Sequence, residues 1–259
     1  MKRVITNFWK KNKYFITGVI FVILLLAVWE IIVKARKIEE YVLPAFSVVV
    51  KEFFLLFKNS AFYKQLLGSL GRIFGALFWS IILGVALGIL SGINVYIKAC
   101  LKPIIATIKS IPVMAITLII LLNFGKDIAP SIIGFLMGFP IVYKHVVFGV
   151  ENIDKKLVEM AKVYKVKRVD RLLKLDLPQV LPSLFAGIET AGGLCIKAVI
   201  SAEILCYTVD SLGLAMHIAK SNMFTDTPIL FAYCLVAILL SLAFELIIKL
   251  IEKAVIRWK

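Results

Sequence analysis

Six long, almost uninterrupted apolar stretches alternate with short polar segments along this chain, at about 14–33, 68–92, 101–123, 128–148, 180–205 and 228–250. A helix that crosses a bilayer needs roughly 20 such residues. The runs are continuously apolar, whereas the strands of a membrane barrel alternate. In lipid, each segment must satisfy its own backbone donors and acceptors, which selects helices. The pattern predicts an all-α polytopic membrane protein with six transmembrane helices. The first run follows a basic stretch (Lys2, Arg3, Lys10, Lys11 and Lys13) and has the outline of a secretion signal. It is long enough to span, and "EIIVKARKIEE" follows it where a small-residue cleavage site would stand. An uncleaved helix is expected.

Composition fits this reading. The 259 residues are 61% hydrophobic, well above the roughly 45–50% of a soluble domain. The formal net charge is +15. In a soluble protein that excess would suggest nucleic acid. Here the basic residues flank apolar runs, so they report orientation instead. With both termini inside, the inner side carries 20 of the 31 Lys and Arg and the outer side 8. An N-in/C-in topology is expected. The outer segment 34–67 is itself basic, and its "PAFSVVVKEFFLLFKN" reads as an amphipathic helix lying along the surface.

Glycines recur four apart at Gly71 and Gly75, at Gly84, Gly88 and Gly92, and at Gly134 and Gly138. Such spacing lets helix backbones approach closely in lipid. Pro112 and Pro140 are expected to kink their helices. Cys100, Cys195, Cys206 and Cys234 show no metal or redox spacing and read as small packing residues. His145 and His217 are too few for a His-rich metal site, so neither a metal centre nor a catalytic residue is expected.

The most informative polar segment lies between the fourth and fifth runs. Ile153, Leu157, Met160, Ala161 and Tyr164 form one apolar stripe at helical spacing, with Lys155, Lys156, Glu159 and Lys162 on the other faces. Asn152 or Asp154 can cap this helix. A break is expected near Lys165, then a shorter stripe of Val166, Val169, Leu172 and Leu173 that Pro178 ends, with Pro178 and Pro182 sitting where a new helix begins, a position proline tolerates. A basic amphipathic loop on anionic lipid and a docking element for a cytoplasmic partner both fit this pattern.

"EMAKVYKVKRVDRLLKLDLPQVLP" resembles the EAA loop of ABC importer permeases. Glu159 and Ala161 match the first and third positions of Glu-Ala-Ala, and Leu177-Pro178 matches the closing Leu-Pro. Met160 replaces the middle alanine, and Lys165 stands where the family has glycine. "IKSIPVMAITLIILLNFG" (108–125) is similar to the Ile-Pro…Phe-Gly segment of the nitrate/sulfonate/taurine branch. "SAEIL" and "SLGLAMHIAKSNMFTDTPILFAY" are similar to that branch's last loop and helix. The resemblance covers about residues 40 to 255.

The resemblance implies a type I ABC importer permease fold with cytoplasmic coupling helices. Together with the apolar runs and charge pattern, it divides the chain into a basic tail (1–13), a first transmembrane helix (14–33), an extracytoplasmic segment (34–67), a permease core (68–250, coupling loop about 149–179) and a second tail (251–259). It implies that Glu159, Ala161, Tyr164, Lys165, Leu177 and Pro178 couple to a separate ATPase. ATP and Mg would be bound by that partner and no cofactor by this chain, which has no GxxxxGK[ST] of its own. A solute-binding protein and a second permease subunit, in a homodimer, complete the implied assembly. No nucleic acid is expected, and the setting is the cytoplasmic membrane.

Arg72, Lys109, Glu189, Lys197, Glu203 and Glu245 fall in or near spans, where an ionisable group is costly unless paired or hydrated. Lys109, Pro112, Lys197 and Glu203 are candidates for the translocation path of a small, anionic solute of the nitrate, sulfonate or taurine kind. A thiamine-precursor pyrimidine or other small metabolite is the alternative within the same architecture. Internal pairing, Lys197 with Glu203 across a dimer or Lys109 with Glu189, is the structural alternative for the charges. An ATP-independent carrier would need repeats or ion sites that the sequence lacks. An intramembrane protease would need a GxSxG or HExxH near a histidine, and neither occurs.

Overall fold

A computed structural model describes residues 2–256, with side chains from Thr17 onward except Met223. Among the described residues every regular element is helical. In chain order the helices are α1 (Lys2–Ala35), α2 (Phe46–Leu56), α3 (Ser60–Ile93), α4 (Val95–Ser110), α5 (Val113–Phe124), α6 (Ala129–Glu151), α7 (Lys155–Val163), α8 (Arg168–Arg171), α9 (Leu177–Cys206), α10 (Leu212–Ser221) and α11 (Met223–Val255). Five stretches are long and apolar enough to cross a membrane: Thr17–Ala35 of α1, α3, α6, the helical stretch Arg168–Cys206 ending in α9, and Phe224–Val255 of α11. The chain is a multi-pass membrane protein.

The third expected span is not one helix. α4 and α5 meet at 97° across a short break. Pro112 has no N–H to continue α4 and drives Ile111 into extended backbone, at ψ 128°. The expected kink is therefore a full break. Pro140, by contrast, is buried inside a helix that α6 continues to Glu151.

Helix α6 is the centre of the packing, with α3 and α9 as its most extensive neighbours. Glycine spacing makes this possible. A Cβ on Gly84, Gly88 or Gly92 would lie 2.8, 2.7 or 2.5 Å from a carbon of Val142, Val146 or Val150. Two ridges with the same four-residue repeat thus interlock between α3 and α6. On α6, Gly134 admits Val199 and Ala76, and Gly138 admits the Cys195 Sγ and Ser80 Oγ. The Cys195 thiol also donates to the Gly134 carbonyl at 3.2 Å. Gly71 and Gly75 meet nothing within 4 Å, so this glycine pair stands outside the seam.

The expected surface helix is α2, which buries Val49 and Leu56. Its N-cap, Ala45, has no side-chain acceptor. Glu30 of α1 supplies one, taking the Ser47 N–H at 3.1 Å and the Ser47 hydroxyl at 2.8 Å. A carboxylate at a helix N-terminus is favoured by orphan N–H groups and by the helix dipole. Trp29, beside it, packs on Phe46 and Phe231 at ring distances of 5.7 and 6.1 Å. The lower part of α1 leaves its apolar side chains exposed, as a lipid-facing helix would.

Candidate functional site

The insert between α6 and α9 is an ordered hairpin. Asp154 caps α7, accepting the Lys156 N–H at 2.8 Å. At the other end the Val166 N–H reaches the Ala161 carbonyl at 2.9 Å and the Lys165 N–H reaches Lys162 at 3.1 Å. This is the Schellman pattern, which puts its C′ residue in left-handed backbone. That residue is Lys165, at φ +51°. The turn expected near Lys165 is therefore there, and a glycine at this position has a physical reason, since it adopts that φ without steric cost. Lys165→Gly is expected to stabilise the hairpin by about 1 kcal/mol. Slower amide exchange at Val166 is the readout, and unchanged exchange would contradict it.

The second limb departs from expectation. Pro178 does not end a helix. α8 passes into one π-turn (Leu172–Asp176) and then directly into α9. As expected, Pro178 lies in the first turn of a new helix, α9, whereas Pro182 lies inside it. Its ring would press on the carbonyl four residues back, and the widened π-turn just upstream relieves that crowding. Arg171–Asp176 and Lys174–Asp170 ion pairs, at 3.2 and 2.8 Å, brace this limb.

Of the six residues implied to couple, Ala161 is buried and holds α7 to its hairpin, whereas Glu159, Tyr164, Lys165 and Leu177 are exposed and Pro178 is half-buried. Apart from Ala161 and the half-buried Ile153, the residues of the apolar stripe along α7 are left largely uncovered by the described residues. Leu157 and Met160 are 38% and 47% exposed, Val163 and Tyr164 both 77%. The lower end of the insert is fastened by Lys98–Glu151 at 2.5 Å. It is also fastened by Gln179, whose Oε1 accepts the Asp154 N–H at 2.8 Å.

Within the spans, Lys109 lies in the last turn of α4, beside the break at Pro112. Lys197 lies on a strip of α9 where Thr190, Leu194 and Ser201 are also exposed, while Cys195, Ile196, Ala198 and Val199 are buried. Neither lysine makes an ion pair among the described residues. The pairing Lys109–Glu189 does not occur among the described residues, and within the chain Glu203 meets Arg72. Glu189 instead meets Lys249 at 3.3 Å, and Lys249 also binds Glu245.

Glu203 is the fourth path candidate, and its carboxylate is fully enclosed. It accepts from the Ser69 hydroxyl at 2.7 Å, the Arg72 guanidinium at 3.2 Å and the Gly213 N–H at 3.2 Å. Arg72 also donates to the Val209 and Asp210 carbonyls at 3.0 and 3.4 Å. The Ser69 hydroxyl in turn accepts the Leu212 N–H at 2.9 Å. A buried carboxylate is stable only when its lone pairs are met this fully. The cluster ties α3, α9 and the loop into α10 together. Sequence reasoning named Arg72 without its partner, because 131 residues separate the pair and no helical spacing could join them. No group of three or more His, Cys, Asp or Glu that could hold a metal ion occurs among the described residues.

Residues 80–257 match the family described as binding-protein-dependent transport system inner membrane component. Three relatives align over most of their length. The chain is 30% identical to the riboflavin transport system permease protein RibX of Chloroflexus aurantiacus, over 91% of this chain and 87% of that one. It is 32% identical to SsuC of Escherichia coli, a permease protein named for aliphatic sulfonates transport, over 90% and 88%. It is 22% identical to the taurine transport system permease protein TauC of Escherichia coli, over 90% and 86%.

Proposed function

The chain belongs to the family of binding-protein-dependent transport system inner membrane components, a transport permease and not an enzyme, and from that premise we propose that it forms the translocation path of an ABC importer and couples to a separate ATPase through the α7 hairpin. The observation that carries this reading is the set of exposed apolar side chains on α7. A capped, well-formed helix with Leu157, Met160 and Tyr164 turned outward suits a groove in another protein. Glu159 lies beside that stripe and sets a charge at its edge. The chain has no phosphate-binding loop, so ATP and Mg act in the partner.

In this reading six spans place both termini inside, the α4–α5 pair counting as one. Two copies enclose the path, and a solute-binding protein delivers its load from outside. Lys109, the Pro112 break and Lys197 line the path. Backbone broken at membrane depth is tolerated where it is enclosed by protein or meets water. Two lysines without carboxylate partners favour an anionic solute there, in keeping with the sulfonate and taurine relatives. Glu203 serves the path indirectly, by holding its outer end in shape. The riboflavin relative favours a second reading, a small heterocyclic metabolite such as a thiamine-precursor pyrimidine.

Affinity purification from cross-linked, gently solubilised membranes tests the assembly. Recovery of an ATPase bearing a phosphate-binding loop, together with a solute-binding protein, is expected. Recovery of neither, with transport persisting in ATP-depleted vesicles, would assign the hairpin to the lipid surface. Glu159→Arg is expected to deplete the ATPase from the recovered complex while the permease itself accumulates normally. Equal recovery would remove Glu159 from the interface.

A further inference from the structure

Helix α7 is weakly held. It packs extensively against no other helix, and its one buried residue is Ala161. Between α7 and the second limb runs an open groove of about 410 Å³, lined by Met160, Val166, Lys167, Arg171 and Lys174 among others. A force applied to α7 therefore has few routes into the membrane. The Schellman turn at Lys165 joins the two limbs at one end of the groove. At the other end, among the described residues, one side chain does so by hydrogen bonds. Gln179 accepts the Asp154 N–H at 2.8 Å and donates through Nε2 to the Leu175 carbonyl at 3.1 Å. Both ends of one amide are used, one on the start of α7 and one inside the π-turn that leads into α9. The π-turn is where helical bonding is already loosened. Gln179 itself is in the first turn of α9, beside the close contact of Val180 and Ser183 with Gly149 of α6.

We propose that Gln179 is the positioning residue that makes α7 and α9 move as one body, so that displacement of the hairpin reaches the transmembrane helices. This rests on the coupling role proposed for the hairpin. Without the pin, α7 would swing on its Asn152–Asp154 linker and its Lys165 turn, and motion would be absorbed in the groove.

The test uses the full chain co-purified with its ATPase in lipid nanodiscs, with Cys100 and Cys234 replaced by serine and spin labels on cysteines at Lys156 of α7 and Ala186 of α9. With Gln179 intact, ATP plus vanadate is expected to leave the α7–α9 distance unchanged. In Gln179→Ala the distance is expected to shift by about 1–2 Å or more, the scale of helix shifts in switching proteins, with ATP hydrolysis retained. Gln179→Glu keeps the acceptor for the Asp154 N–H and should restore most of the fixed distance. A constant distance in Gln179→Ala would overturn the proposal. So would parallel loss of ATPase recovery and chain yield in that variant, which a merely structural residue would give. Failure of the coupling reading looks different: no ATPase accompanies even the unsubstituted chain, and transmission through Gln179 falls with it.

Discussion

Replacing Arg72 by methionine is expected to cost about 3–5 kcal/mol of stability, because it strands a buried carboxylate without its counter-charge. Arg72 is 17% exposed and Glu203 fully enclosed, so water cannot take over the guanidinium's role. The loss extends past one pair. Arg72 also holds the Val209 and Asp210 carbonyls, and Asp210 adopts left-handed backbone at φ +51°. A non-glycine residue held there depends on surrounding contacts to over-determine it. The double variant Arg72→Met/Glu203→Gln should recover part of the loss, since a neutral amide can still accept from Ser69 and Gly213. Thermal unfolding of the detergent-solubilised chain, with Lys220→Met as an exposed control, measures both. A single variant no less stable than the control would show that the cluster contributes nothing.

The second large effect is expected at the α3–α6 seam. Gly88→Val places new carbons where Val146 already stands, 2.7 Å from the first added atom, with the Tyr143 carbonyl 3.2 Å away. The obstacle includes a β-branched side chain with restricted rotamers and fixed helical backbone, so relief requires the helices to separate. Overpacking of this kind costs roughly 1–3 kcal/mol, and parting of the seam at Gly84 and Gly92 would add to it. Gly71→Val, on the same helix but in open space, should be neutral for the isolated chain. Unfolding midpoints that rank the two variants equally would contradict the seam as the determinant of α3–α6 packing.

What could be read from the sequence follows the range of the interactions. Helix positions came from apolar runs, and the packing of Gly84, Gly88 and Gly92 came from a local repeat. The α7 stripe, the Asp154 cap and the turn at Lys165 are likewise set by residues within a few positions of one another. Pro178 was legible as the start of a helix, but not the π-turn that joins that helix to the one before it, since a proline more often follows a break. Pro112 was underestimated: its effect on Ile111 breaks the span instead of bending it. The ion pairs were missed for a different reason. Arg72–Glu203 and Lys249–Glu189 join helices distant in sequence, and single-chain spacing carries no information on which helices meet. Gln179 carries no signal of its own in the sequence. Its bond to Asp154, 25 residues away, exists only once the hairpin has closed.

The break at Pro112 also bears on how the protein is made. α4 has 16 residues and α5 has 12, about 24 and 18 Å of helix at 1.5 Å per residue. Neither alone crosses a hydrocarbon layer of about 30 Å, and α4 carries Lys109 besides. Segments this short partition poorly from the translocon into lipid one at a time. Their stable places exist against neighbouring helices: Ile105 of α4 meets Phe139, Tyr143 and Val147 of α6, with Leu87 of α3 packed on the same cluster, and Ile120 of α5 meets Ala129 and Ile133 of α6 and Ala198 and Ala202 of α9. Helix α4 can settle early against α3, but the partners of α5 are α6 and α9, both translated after it, so α5 is expected to reach its final place late in insertion.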